Sequence, residues 1–354
     1  MAERYSVLVV DDSAFMRKLI TDMVSADERF SEVHAARNGL EAVEMTKRLR
    51  PSVISMDIEM PVMNGIDALK QIMQQCPTPV IMLSSMTDRG AKETIEALEH
   101  GAVDFVKKPS GAISLDLAVV KKELLQKLVM AAQTKIAAVK ASALHPHPGK
   151  SFRAGRETLP QTFKHVVAIG TSTGGPKALQ QVLAAFPAHF PAPILIVQHM
   201  PPPFTKSLAE RLNALCDIQV VEAEHFMRVQ PGTAYIAPGD WHMTLLQSGD
   251  DFRIGLNQSP PCYGHRPSVD VMFRSLLPMK QVQIHAVLLT GMGRDGAAAM
   301  KFLKQEGAYT IAEAEETCIV YGMPRAAAEL NAASQIVPLH DIANAIMRNM
   351  EMID

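Results

Sequence analysis

Along residues 5 to 110, short β-branched runs alternate with amphipathic stretches. The runs are SVLVV, PSVISM, PVIML and AVDFV, with a weaker SEVHAA between the first two. Strand-length runs separated by helix-length segments predict a parallel sheet wrapped by helices. A second alternation begins at HVVAIG (165–170) and continues through PILIVQHM, IQVVEAE, TAYIAPG, QIHAVLLTG, AYTIAEAE and SQIVPL. Helical stretches such as KALQQVLAAF and FTKSLAERLNAL lie between several of these. The segment WHMTLLQSGDDFRIGL differs, because two strand-like runs flank Ser248-Gly249-Asp250-Asp251, and this predicts a hairpin inserted in the second unit. Between the alternations, residues 116–144 carry apolar positions at helical spacing, and HPHPGKSFRAGRETLPQTF then breaks every period with Pro, Gly and mixed charge. The expected class is α/β throughout: a doubly wound unit over 1–122, a helical and Pro/Gly-containing linker over 123–160, and a parallel-sheet unit with an inserted hairpin over 161–354.

Composition narrows the function classes. At 354 residues the chain exceeds one ordinary core, and 47% hydrophobic with 20% charged residues is a globular composition. A net charge of -2 without a dense Lys/Arg stripe gives no reason to expect nucleic-acid binding. Cys76, Cys216, Cys262 and Cys318 lack C-x-x-C spacing and read as reduced thiols, so neither a disulfide framework nor a zinc site is expected. The start MAERYSVLVVDDSA is no signal peptide, and no apolar run reaches the roughly 18 residues of a membrane span. A cytoplasmic protein with no membrane insertion is expected.

Chemistry gathers at strand ends. Asp11 and Asp12 follow the first strand, Asp57 follows PSVISM, Ser84 follows PVIML and Lys108 follows AVDFVK. The carboxyl ends of parallel strands share one edge, so three carboxylates, a hydroxyl and an ammonium converge. Clustered carboxylates are hard oxygen ligands suited to Mg²⁺, and a metal plus a lysine would neutralise an incoming phosphoryl group while one carboxylate attacks phosphorus. The segments VVDDSAFMR, MDIEMPVMNGIDAL and DFVKKP resemble the response-regulator receiver family. That resemblance implies a doubly wound flavodoxin-like fold, that Asp57 is phosphorylated by a histidine kinase, that Asp11 and Asp12 hold Mg²⁺ with it, and that Ser84 and Lys108 bind the phosphoryl oxygens.

In the second half, HVVAIGTSTGGPKAL passes from a strand through a Gly-rich turn into a helix. Pro176 occupies the lysine position of a phosphate-binding loop, Lys177 comes one residue late and Ala178 follows it in place of the hydroxyl, which excludes that motif. What remains is a serine or threonine on a sharp turn at a helix N-terminus, with backbone amides aimed at a developing oxyanion. His199 ends the next strand, PILIVQHM, where it could take the proton of Ser172. HAVLLTGMGRDGAAAM spells G-x-G-x-x-G at Gly291, Gly293 and Gly296, with Glu313 about 20 residues on, as a dinucleotide-binding turn would have it. Asp295 inside the turn would repel a pyrophosphate, whereas the dipole of the following helix would favour an ionised carboxylate there. Ser172, His199 and Asp295 are therefore the candidate nucleophile, general base and orienting acid.

With AIGTSTGGPKAL, QHMPPPFTKSLAERL, YIAPGDWHM, HRPSVDVMF, LLTGMGRDGA and YGMPRAA, the chain resembles, almost end to end, the chemotaxis response-regulator protein-glutamate methylesterases of the CheB family. The resemblance implies hydrolysis of glutamate methyl esters on chemoreceptors and deamidation of receptor glutamines. It assigns the triad to Ser172, His199 and Asp295 and the oxyanion donors to the Thr173 and Met292 amides, with no cofactor in that unit. The expected partners are methylated chemoreceptors and a chemotaxis histidine kinase. In IAEAEE (311–316) the family reads closer to I-A-Q-D-E, so Glu313 is expected to alter the charge at the rim of the substrate cleft.

Thr171 and Thr173 are read as turn-formers, His225 and His242 as local hydrogen-bonders, and His145 and His147 as linker residues. His265 and Arg266 are candidates to line the cleft, with a surface loop as the alternative. Three other functions remain in contention: a DNA-binding output unit, a nicotinamide enzyme and a catalytically dead adaptor. If the unmodified receiver excludes substrate from the catalytic unit, deleting residues 1 to about 150 raises basal esterase activity. A less active fragment contradicts simple occlusion.

Overall fold

A computed structural model describes residues 4–108, 117–134 and 162–353. They fall into two compact units, Met1–Ala143 and Leu144–Asp354. In the first, β1 (Tyr5–Val10), β2 (Phe30–Ala36), β3 (Val53–Asp57), β4 (Val80–Ser84) and β5 (Asp104–Lys107) form a sheet of order β2-β1-β3-β4-β5. Every pairing is parallel. This is the doubly wound order in which the carboxyl ends of β1 and β3 flank the topological switch point. Helices α1 (Ala14–Ser25), α2 (Gly39–Leu49), α3 (Gly65–Gln75) and α4 (Asp88–Glu99) alternate with the strands. Each starts on a side-chain cap, from Ser13, Asn38, Asn64 and Thr87 respectively, which satisfies an otherwise orphaned backbone amide.

The fifth helix, α5 (Leu117–Gln133), runs through the expected boundary at residue 122. Leu124, Leu125 and Leu128 are buried, and Lys127 Nζ donates to the Phe105 carbonyl at 2.7 Å while pairing with Asp104 at 3.2 Å. This part of the stretch read as linker thus packs within the first unit. The rest of that expected helix, and the linker with His145 and His147, lie outside the described residues.

The second unit holds a seven-stranded sheet of order β14-β13-β12-β6-β7-β9-β8, again with every pairing parallel. Its strands are β6 (His165–Thr171), β7 (Ile194–Gln198), β8 (Gln219–Glu222), β9 (Thr233–Ile236), β12 (Gln283–Leu288), β13 (Tyr309–Glu313) and β14 (Gln335–Val337). The expected hairpin is present as β10 (His242–Ser248) and β11 (Asp251–Asn257), with Ser248 opposite Asp251. The helices of this unit are α6 (Gly175–Ala184), α7 (Phe204–Leu215), α8 (Val269–Ser275), α9 (Ala297–Gln305), α10 (Met323–Glu329) and α11 (Ile342–Asn349).

Because β6 leads to β7 on one side and its other neighbour, β12, arrives much later in the chain, the strand order reverses between β6 and β12. In open α/β sheets, ligands bind at such a crevice, outside the carboxyl ends of the strands. Beneath it, Val166, Ala168, Val269, Phe273, Ala286, Leu288 and Met300 belong to one buried cluster. Among the described residues no helix is long and apolar enough to cross a membrane. Phe273 on α8 is fully buried, so Phe273→Ala is expected to cost about 3–5 kcal/mol of stability, measured by urea denaturation.

Candidate active site and phosphoryl-acceptor site

At the first sheet's carboxyl edge, oxygens of Asp11, Asp12 and Asp57 lie within 4.8 Å of one another. Lys108 Nζ is 2.5 Å from Asp57 Oδ2 and 3.6 Å from Asp11 Oδ2. Asp57 is pushed up to about 6, chiefly by burial, against the pull of Lys108. Burial likewise raises Asp11, whose Oδ2 is buried with no hydrogen-bond partner. A buried carboxylate oxygen left open beside two more carboxylates is a donor set that fits a hard divalent cation. Ser84 ends β4 as expected, but its hydrogen bonds go to α4: Oγ donates to the Gly90 carbonyl at 3.2 Å and accepts from Thr94 Oγ1 at 2.7 Å.

In the second unit, Ser172 follows β6, His199 follows β7 and Asp295 lies in the turn after β12. His199 N donates to the Thr171 carbonyl at 3.1 Å and Ser172 N to the Thr290 carbonyl at 3.1 Å, so the three strand ends are stitched at one edge. The Gly291 backbone presses against the serine: a Cβ there would lie 2.8 Å from Ser172 Cβ and 2.6 Å from Met323 Sδ. Gly296, at φ +86, would strike Val269 at 2.5 Å. These glycines serve close approach and a left-handed helix cap.

His199 Nε2 lies 2.8 Å from Asp295 Oδ2, with both side chains almost wholly buried. Nδ1 of the same ring is buried with no hydrogen-bond partner, so the Ser172 hydroxyl is not bonded to it in this conformation. Links of this kind commonly close only when substrate binds. Asp295 collects three further donors: Ser268 Oγ at 2.8 Å, Val269 N at 2.7 Å and Asp270 N at 3.0 Å. Burial alone would raise Asp295, but His199 and these amides outweigh it and hold the carboxyl below its ordinary value.

Beyond the dipole expected from the following helix, the amides that bond Asp295 come from the start of α8. Asp270 returns the arrangement, with Oδ1 accepting from Ala299 N in α9 at 2.9 Å and Oδ2 from Arg274 at 2.7 Å. Sequence reasoning missed Ser268 and Asp270; their signal was the PSVD run, a helix-start pattern ahead of an apolar stretch.

Thr171 Oγ1 donates to the Thr290 carbonyl at 2.9 Å, as a turn-former would. His265 stacks on His199 with centroids 3.9 Å apart and planes at 5°. Arg266 instead pins its loop, pairing with Asp240 at 2.6 Å. His242 accepts from Ser268 N at 3.2 Å and His225 from Leu256 N at 3.0 Å. Glu313, expected at the cleft rim, is fully buried and accepts from Thr290 N at 2.7 Å. It therefore cannot set the charge of an exposed rim, because strand β13 carries it under the loop after β12.

A phosphoryl-acceptor-like carboxylate cluster on one sheet and a serine turn beside a closed His–Asp pair on another are the layout of a receiver-linked hydrolase. The chain belongs to the CheB methylesterase family: residues 167–346 match CheB methylesterase, and residues 7–120 match the response regulator receiver domain. It is 51% identical over 344 residues to the protein-glutamate methylesterase/protein-glutamine glutaminase of Geobacillus kaustophilus, covering 97% of each chain. Against the equally named protein of Halalkalibacterium halodurans it is 47% identical over 351 residues, covering 98% of this chain and 99% of that one. The solved catalytic domain of Thermotoga maritima CheB methylesterase superposes with a TM-score of 0.51 at 41% identity, covering 52% of this chain and 97% of that domain.

Burial pushes Glu313 up from 4.5 to about 7. The fold thus favours its protonated form, and that stabilisation is complete below the unfolded value and lost as pH rises through about 7. Thermal melts at about pH 5 and about pH 8 should show a smaller loss of stability for Glu313→Gln than for the unsubstituted chain.

Proposed function

We propose that this chain hydrolyses glutamate methyl esters, and deamidates glutamines, on the cytoplasmic helices of chemoreceptors, and that phosphorylation of Asp57 activates it for chemotactic adaptation. The observation that carries the hydrolytic half is the 2.8 Å His199–Asp295 contact beside the Ser172 turn. The family relatives' names supply the substrate class.

Ser172 Oγ attacks the side-chain carbonyl carbon, and its proton passes to His199 Nδ1, the ring nitrogen opposite the Asp295 contact. Asp295 fixes the tautomer and stabilises the imidazolium that forms. The Thr173 and Met292 amides receive the oxyanion, each worth roughly 3 kcal/mol of barrier. His199 then gives that proton to the departing methoxide oxygen, releasing methanol, or to the departing amide nitrogen, releasing ammonia. Water attacks the acyl-enzyme, giving its proton to His199, and Ser172 is regenerated with a glutamate product.

In the receiver, a histidine kinase supplies the phosphoryl group to Asp57. Mg²⁺ held by Asp11, Asp12 and Asp57 supplies charge neutralisation when bound. Lys108 and Ser84 bind the phosphoryl oxygens, which for Ser84 means giving up its bonds to α4. The protein works in the cytoplasm, with receptors and kinase as partners.

Methanol release from methylated receptor membranes tests both halves when run with and without acetyl phosphate. Ser172→Ala should lose turnover by about 10³-fold or more, and Asp57→Asn should keep basal turnover without stimulation. Full turnover by Ser172→Ala contradicts the nucleophile assignment. Undiminished stimulation of Asp57→Asn contradicts the phosphorylation site.

A further inference from the structure

Thr290 is the hub on which the serine turn hangs. Its carbonyl accepts from Ser172 N at 3.1 Å and Thr171 Oγ1 at 2.9 Å. Its hydroxyl donates to the Thr173 carbonyl at 3.0 Å and accepts from Val320 N at 2.9 Å. Thr290 therefore holds the peptides on both sides of the Ser172–Thr173 peptide, whose amide is the assigned oxyanion donor. Its own amide donates to Glu313 Oε2 at 2.7 Å.

The position of Glu313 is expensive for a carboxyl. The side chain is fully buried, and Oε1 is among the buried polar atoms with no hydrogen-bond partner. Leucine would fill such a site without the desolvation cost, so packing does not account for an acid there. What an apolar residue lacks is an acceptor for the Thr290 amide. The strand order β13-β12-β6 places Glu313, Thr290 and Ser172 at the carboxyl ends of three consecutive neighbours. A short chain of hydrogen bonds thus crosses the sheet edge from the acid to the serine.

We propose that Glu313 is a positioning residue for the hydrolytic reaction, whose carboxyl oxygen holds Thr290 and, through it, the Ser172–Thr173 turn. This deepens the assignment of Ser172 as nucleophile and rests on it. The acceptor matters and the charge does not, so glutamine at 313 serves and leucine does not.

The test uses the full chain with acetyl phosphate, measuring kcat and KM for methanol release from methylated receptor membranes. Glu313→Leu should lower kcat roughly 10- to 100-fold with KM within about 2-fold, because a displaced turn misaligns attack without altering the docking surface. Glu313→Gln should restore kcat to within about 3-fold of the unsubstituted chain. Should Glu313→Leu fail to give a cooperative melt, Glu313→Asp takes its place; its shorter carboxyl withdraws from Thr290 N, and the same kcat deficit is expected. Unchanged kcat in the folded leucine or aspartate variant overturns the proposal, as does a glutamine variant equally impaired. Ser172→Ala in the same assay separates the two ideas. If it is inactive while Glu313→Leu is unimpaired, only the role of Glu313 fails; if it turns over normally, both fail.

Discussion

A buried carboxylate is tolerated only where enough donors meet it, and Asp295 is the case on which the second unit's chemistry depends. Four groups converge on its two oxygens: Ser268 Oγ, the Val269 and Asp270 amides, and His199 Nε2. Three come from the start of α8 and one from the strand end of β7. The carboxylate therefore fastens a helix to the sheet edge and turns an imidazole in the same act. Its ionised state follows, since burial would otherwise protonate it. Asp270 repays the helix that follows Asp295 by accepting from Ala299 N, so two helix starts are tied crosswise through two acids. His265 adds a face-on contact that limits tilting of the His199 ring.

The two units use one rule of α/β architecture for different chemistry. Each places its reactive groups beyond the carboxyl ends of parallel strands, next to the reversal of strand order. In the first, the edge gathers three carboxylates and a lysine, a field suited to a cation and a phosphoryl group. In the second, it gathers a hydroxyl, an imidazole and a single carboxylate, with glycine allowing the backbone to close on the serine.

Short β-branched runs alternating with helix-period stretches made both sheets legible in the sequence, and the Ser248–Asp251 turn marked the hairpin. Strand ends also read well, because a parallel sheet converts "last residue of a strand" into a place in space; Asp11, Asp57, Ser84 and Lys108 were found that way. What stayed hidden was whatever depends on which non-neighbouring loop arrives. The amides that stabilise Asp295 belong to a helix some 25 residues upstream, and no local pattern links the two. Burial of Glu313 was equally invisible, since an acid at the end of β13 looks the same whether it meets water or lies under the loop after β12. The part of α5 beyond residue 122 was read as linker because lysine-rich amphipathicity suits a tether as well as a docked helix; Lys127 reaching the Phe105 carbonyl ties it to the first unit.

The most direct measurement of the central claim is the protonation pattern of the His199 ring, read from its imidazole ¹⁵N shifts in the full chain near neutral pH and assigned by loss of the signals in His199→Gln. If Asp295 orients the base for Ser172, the proton resides on Nε2 and Nδ1 is bare, ready to accept. A ring carrying its proton on Nδ1, with Nε2 bare toward the carboxylate, would contradict the account.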